Sequence, residues 1–200
     1  MRGWMCVPMM TLCLLLTGCG GRAGESPAAE ARAPYRDMAG CAMEAAVSCD
    51  QDGALWQADL RCAYTPEGET TVEVLSPETI AGVRAVLSGG EAALEYGDLC
   101  LNAGTVSAED LSPMACLPEL MDALREGWLL EESREDWGEV SCVRLTLDRT
   151  GPRGGKVLST LWLREDGGTP LRGEIAVDGE TVLTADFTSF TFYDTIQDQE

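Results

Sequence analysis

The chain has 200 residues, with 34 acidic and 14 basic side chains, a formal net charge of −20 and no histidine. A surface of this charge repels phosphate backbones, so we expect no nucleic-acid partner. Without histidine, and without a GxSxG, P-loop or SxxK pattern, we predict neither an enzyme nor a bound metal or cofactor.

The first element is an apolar segment over residues 4–16, which follows the positive charge of Arg2. This arrangement is typical of a secretory signal peptide, and the run is shorter than the roughly 20 residues that a spanning helix needs. It ends in LTGC (residues 16–19), which resembles the lipobox of bacterial lipoproteins. The resemblance implies cleavage after residue 18 and acylation of the Cys19 thiol. The alternative is an ordinary secretory signal with an incidental cysteine.

The segment after Cys19 is rich in Gly, Ala and Pro and has few large apolar side chains. Such a composition cannot form a core, and we predict a lipidated flexible tether over residues 19–37. The remaining residues suit one domain, predicted over 38–196, with a tail at 197–200. The protein would then be held on the extracytoplasmic side of the cell membrane by acyl chains.

Six cysteines remain in the predicted domain: Cys41, Cys49, Cys62, Cys100, Cys116 and Cys142. In an exported domain they permit three disulfides. No CxxC pair occurs, and the chain is long enough to fold without cross-links. We therefore expect mostly free, half-buried thiols.

Most of the domain alternates between apolar and polar residues, which predicts half-buried antiparallel strands. The predicted strands cover residues 41–49, 54–64, 69–76, 80–88 and 91–97 and, after a helical segment, 140–148, 157–163, 171–177 and 181–193. The count is eight or nine.

One helical segment interrupts the strands. Ser112 and Pro113 form a start signal, and an earlier capping box is predicted at Ser107 and Asp110. Apolar residues then fall on one helical face: Met114, Leu117, Leu120, Met121, Leu124 and Trp128. Because Pro118 conflicts with a continuous helix over 113–127, either the helix is kinked or it begins near Leu117. Residues 131–138 are interpreted as a charged connection or a short helical turn.

These elements predict an α+β, mostly β fold. Its main part would be a curved antiparallel sheet or incomplete barrel, with the helix over 113–127 covering the concave side.

Two segments then suggest a family. AYTPEGETTVEVLSPETIAG (63–82) and TLWLREDGGTPLRGEIAVDGETVLTADFTSF (160–190) resemble parts of the LolA/LolB-like lipoprotein carriers and of related lipoproteins of Gram-positive bacteria. The resemblance implies an incomplete barrel, closed by helices, around an apolar cavity. Carriers of this family hold acyl chains there. A germination lipoprotein of the same fold is instead the partner of a cell-wall amidase.

We therefore expect the concave face to bind either an acyl ligand or lipoprotein, or, as the alternative, an envelope enzyme that the chain supports as an adaptor. A third interpretation is that the inward side chains only form a filled core. The candidate cavity residues are Trp56, Leu60, Val72, Val74, Leu94, Tyr96, Met114, Leu117, Met121, Leu161 and Leu163.

Overall fold

A computed structural model describes residues 26–51, 54–105, 112–150 and 155–193. The helices are α1 (Pro27–Asp37) and α2 (Cys116–Glu126), with a short 3₁₀ helix at Pro113–Ala115. The strands are β1 (Cys41–Gln51), β2 (Ala54–Tyr64), β3 (Thr70–Ser76), β4 (Arg84–Ser88), β5 (Glu91–Tyr96), β6 (Leu99–Thr105), β7 (Trp128–Trp137), β8 (Val140–Asp148), β9 (Val157–Arg164), β10 (Pro170–Val177) and β11 (Glu180–Phe192).

All eleven strands form one antiparallel sheet in the order β6-β5-β4-β3-β2-β1-β11-β10-β9-β8-β7. The first six strands run outward from β1 to one edge. The last five begin at the other edge with β7 and return to β11, which pairs with β1. The two edge strands are therefore β6 and β7.

The sheet is curved around α2. This helix packs on β2 and also on β8, β9 and β10. Across a flat sheet β2 and β8 would lie about 24 Å apart, whereas eleven helical residues span about 16 Å. The sheet must therefore bend, and α2 fills its concave side. The predicted fold class, mostly β with helices covering a curved antiparallel sheet, is confirmed.

The start and end of α2 follow local signals. Ser112 caps the 3₁₀ turn, and Pro118 lies in the first turn of α2, where its missing N–H has no intrahelical partner to lose. The alternative in which the helix begins near Leu117 is confirmed. The Gly127 N–H closes the helix on the Ala123 carbonyl at 2.9 Å. Trp128 begins β7 instead of extending the helical face, and it is 75% exposed.

Helix α1 corrects the predicted tether, because residues 27–37 are ordered against the domain. The Ser26 hydroxyl accepts a hydrogen bond from the Ala29 N–H, and Pro27 occupies the first helical turn. Arg32 and Tyr35 are buried, and the Tyr35 hydroxyl donates to the Gly168 carbonyl at 2.6 Å. These tertiary contacts stabilise a segment whose own composition is that of a linker.

Two further corrections concern the edge strands. Residues 131–138, interpreted as a charged connection or helical turn, lie largely in β7, and residues 99–105 form β6, which no predicted strand included. Both strands lack clear alternation of apolar and polar residues because each is largely exposed on both faces.

All six cysteines of the predicted domain are free thiols, as expected, but five are buried and only Cys100 is exposed. Burial raises the pKa of the Cys41 thiol to about 12 and also raises the pKa of Cys62. These buried cysteines act as small core side chains with little thiolate at neutral pH.

Among the described residues, no helix combines the length and the apolar character that a membrane span requires. The predicted signal peptide, the lipobox with Cys19, the capping box at Ser107 and Asp110, and the tail at 197–200 lie outside the described residues.

Candidate binding surface

One row of paired side chains crosses half of the sheet on its concave face. Strand registers place Met43, Cys62, Val72, Ala85, Leu94 and Leu101 next to one another in turn, from β1 to β6. The first four are at most 2% exposed, Leu94 is half-buried, and Leu101 is 66% exposed. The same apolar row is thus core at one end and open surface at the other.

A second cross-strand pair widens this surface. Tyr96 on β5 pairs with Leu99 on β6, on the same face as Leu94 and Leu101, and the two are 54% and 74% exposed. We call the group formed by Leu94, Tyr96, Leu99 and Leu101 the open face. Contiguous exposed apolar side chains of this kind mark interaction sites on soluble proteins.

The open face remains exposed because α2 packs mainly on β2, β8, β9 and β10, away from the edge strands β5 and β6. Arg32 of α1 donates to the carbonyls of Leu124 and Gly127 at 2.7 and 2.8 Å. A cation at this position satisfies the free carbonyls at the helix end and complements its dipole. This contact fixes the carboxyl end of α2 to α1.

A polar network fixes the outward side of α2. The Tyr64 hydroxyl of β2 donates to Asp122, and Arg149, directly after β8, lies 3.0 Å from the Glu119 carboxylate and 3.9 Å from Asp122. Burial raises the pKa of both Glu119 and Asp122, although the bonds from Arg149 and Tyr64 oppose the shift. The network joins strands from both halves of the sheet through one helix, which explains why α2 lies where it does.

The predicted cavity residues come together mainly as a packed core. Seven are at most 2% exposed: Leu60, Val72, Val74, Leu117, Met121, Leu161 and Leu163. Trp56, Leu94 and Met114 are half-buried against that core, and Tyr96 is exposed. Of the predicted set, only Leu94 and Tyr96 belong to the open face.

Sequence reasoning missed Leu99 and Leu101. Their signal was weak but present, since two leucines two positions apart follow the tight turn at Gly97. The two leucines are spaced as on one face of a strand, but the residue between them is not a polar side chain of the kind that normally marks the opposite, exposed face.

The two sheet edges differ in charge. Strand β6 contains no charged residue, whereas β7 contains Glu131, Glu132, Arg134, Glu135 and Asp136. Charged side chains on an edge strand prevent its unpaired backbone groups from pairing with another chain. Edge β7 carries this protection and β6 lacks it. Among the described residues, no strand pairs with the outer edge of β6, which lies beside the open face.

Comparison with solved structures bears on this fold. A LolA superfamily protein from Nitrosomonas europaea is 10% identical, with 84% of this chain and 92% of that chain covered and a TM-score of 0.46. LprF from Mycobacterium bovis is 14% identical, with 86% and 94% covered and a TM-score of 0.49. In fold, the chain is similar to LolA-like proteins.

A further similar structure is the Pseudomonas aeruginosa complex of MucA and MucB, at 16% identity and a TM-score of 0.42, with 85% of this chain and 56% of that chain covered. At these identities the similarity concerns the fold alone. No family model matches the sequence, and no curated protein matches it.

Proposed function

We propose that the chain is a non-enzymatic, extracytoplasmic lipoprotein, anchored to the cell membrane through Cys19, that binds a partner protein on the open face. The observation that supports this most is the apolar row that continues from the buried core at Met43 to the exposed Leu101. A partner seated on Leu99 and Leu101 would extend the core across the edge of the sheet.

The shape of the surface favours a protein over an acyl chain. The residues that would line a deep cavity are packed against one another, with Leu117 and Met121 of α2 fully buried. What is left is a broad, exposed surface beside an uncharged strand edge, and such an edge can also hydrogen-bond an extended segment of a partner.

An acyl ligand is the second candidate. Leu94 is half-buried where the core meets the open face, and an alkyl chain laid there would also continue the core. In that case the chain would be a tethered carrier instead of an adaptor.

The electrostatics limit the partner's chemistry. Asp98 lies in the turn between Tyr96 and Leu99, and the whole chain carries a net charge of −20. Because like charges repel, a segment that is apolar at its centre and neutral or basic at its ends would fit best.

Acyl chains would anchor the protein without help from basic residues. Each buried CH₂ contributes roughly 0.8 kcal/mol, so two or three chains outweigh the repulsion between an acidic domain and anionic lipids. This agrees with the acidic composition of the chain.

The test is site-specific photocrosslinking in the cells that produce the full-length protein. A photoreactive residue at Leu101 is expected to give one discrete protein adduct. The same residue at Leu55, which is 64% exposed but lies on the convex face, should not. Mass spectrometry of the adduct separates a protein partner from an acyl lipid. Equal labelling from both positions, or none from Leu101, would contradict the proposal.

A further inference from the structure

A small basic groove lies at the end of α2, away from the open face. Its volume is about 290 Å³, and it is lined by Arg32, Arg36, Arg125, Glu126, Gly127, Trp128 and Leu129. The chain has only 14 basic residues against 34 acidic ones, so three arginines around one groove form an unusual concentration of positive charge.

The arginines from α1 lack carboxylate partners among the described residues. Arg32 is 4% exposed, and its hydrogen bonds go to backbone carbonyls of α2. Arg36, one turn further along α1, forms no ion pair within the described ranges. Burial lowers the pKa of Arg32, and the charge of Arg36 lowers it further. Two positive charges at one groove repel each other, and an anion bound between them would relieve this repulsion.

Arg125 adds a donor without a partner. Its Nη1 lies 3.3 Å from the Tyr64 hydroxyl and 3.5 Å from the Glu126 carboxylate. Its Nε is buried and has no hydrogen-bond partner. Buried N–H groups of charged side chains are rarely left unsatisfied, so the Arg125 guanidinium at the wall of the groove has hydrogen-bonding capacity that the described residues do not use.

The groove also has an apolar wall. Trp128 is 75% exposed at the start of β7, and Leu129 is partly buried beside it. Arginine beside an exposed tryptophan is the combination that binds at the headgroup level of a membrane, where one side is polar and the other apolar.

We propose that this groove binds a phosphate group, supplied by a phospholipid headgroup of the membrane that carries the anchor. This inference builds on the proposed anchoring at Cys19. Pro27, at the start of α1, is only eight positions after Cys19, so the anchor can lie at most about 29 Å from that helix. The arginines of α1 are therefore within reach of the headgroups, and their contact with phosphate would orient an otherwise acidic domain on the bilayer.

The first measurement is a titration of the full-length chain with inorganic phosphate, followed by tryptophan emission, with chloride at matched ionic strength as the reference. The Trp128→Phe variant identifies the contribution of Trp128. We expect a phosphate-specific change that Arg36→Gln weakens about tenfold or more. Arg84→Gln removes the same charge from exposed strand β4 and should leave the change intact.

The second measurement places the lipidated protein in nanodiscs of phosphatidylglycerol or of a phosphate-free galactolipid, each with brominated acyl chains. We expect the Trp128 emission to be quenched in phosphatidylglycerol discs, and several-fold less in galactolipid discs or after Arg36→Gln. A response to inorganic phosphate without quenching would assign the groove to free phosphate and overturn the headgroup source.

If neither measurement responds to phosphate, or if Arg36→Gln and Arg84→Gln behave alike, the groove is no anion site. Failure of the anchor gives a different result, because the protein would then not co-elute with the discs although the phosphate titration would be unaffected. Failure of partner binding on the open face would change neither measurement.

Discussion

The contact between Gly173 and Leu120 offers a quantitative test of how α2 fills the curved sheet. Gly173 lies on β10, directly beneath α2, and a Cβ added there would lie 2.5 Å from Leu120 Cδ1 and 3.1 Å from Cδ2. Leu120 is fully buried, so its side chain has little room to move. The substitution Gly173→Ala must therefore displace the Leu120 side chain, the helix or the strand.

Overpacking of this kind typically costs about 1–3 kcal/mol of unfolding free energy. Because the backbone of Gly173 does not have a positive φ, alanine recovers about 0.4–1 kcal/mol through the unfolded chain. The expected net loss is about 1–2 kcal/mol. Leu120→Ala alone should cost about 2–5 kcal/mol, because it leaves a cavity.

The double variant distinguishes this packing from a general effect. With Leu120 shortened, the added methyl group of Gly173→Ala fills part of the cavity, so its cost should vanish or change sign. Leu124→Ala is the matched control, since Leu124 is equally buried on α2 but is not among the nearest contacts of Gly173. Urea unfolding of the full-length chain, followed by tryptophan fluorescence, measures six proteins: the wild type, Leu120→Ala and Leu124→Ala, each with and without Gly173→Ala. An equal cost of Gly173→Ala in all backgrounds would refute the packing described here.

Three further predictions concern other sites. Arg32→Met should cost about 2–5 kcal/mol of unfolding free energy because it leaves buried carbonyls of α2 unpaired, and Arg32→Lys should recover part of this loss in the same urea assay; equal stability of all three proteins would contradict it. The thiol of Cys41 stays protonated in the folded state up to about pH 12, whereas in the unfolded chain it ionises near pH 9. The wild type should therefore lose about 1.4 kcal/mol per pH unit relative to Cys41→Ala between pH 9 and 12, under reducing conditions, and a difference independent of pH would show that this thiol is not buried. Finally, Cys19→Ser should abolish metabolic labelling by an alkyne fatty acid, while Cys100→Ser, at an exposed thiol, should leave it unchanged; persistent labelling of Cys19→Ser would rule out the predicted anchor.

The alternating strands could be predicted from the sequence because a half-buried strand has apolar residues on its buried face and polar residues on its exposed face, so the two types alternate. From Ala58 to Tyr64, every second residue is buried. Helix α2 could also be predicted, since its apolar face recurs at helical spacing and Ser112 and Pro113 mark the start of the 3₁₀ turn that leads into it.

The edge strands β6 and β7 could not be predicted from the alternation of apolar and polar residues, for a physical reason. A strand that is exposed on both faces has no reason to alternate, and β7 carries the charges that protect an edge. Helix α1 was hidden differently. Its composition is that of a linker, and what holds it is the contact of Arg32 with α2 and of Tyr35 with a distant turn. Contacts between residues so far apart in the sequence leave no local pattern.

The candidate site was only partly predictable. The alternation placed Leu60 and Val72 on the concave face, yet no periodic pattern states whether a concave face is filled or open. That depends on where α2 is fixed, by Tyr64 and Arg149 among others. The open face is the part of the concave side of the sheet that α2 does not cover.

The most direct test of the account compares carbene footprinting of the purified full-length protein with footprinting in the cells that produce it. In the purified protein Leu99, Leu101 and the convex-face Leu55 should all be labelled, because each is more than 60% exposed. In cells we expect Leu99 and Leu101 to be several-fold protected and Leu55 to remain labelled. Equal labelling of Leu99 and Leu101 in both samples would show that nothing covers the open face and would contradict its role in binding a partner.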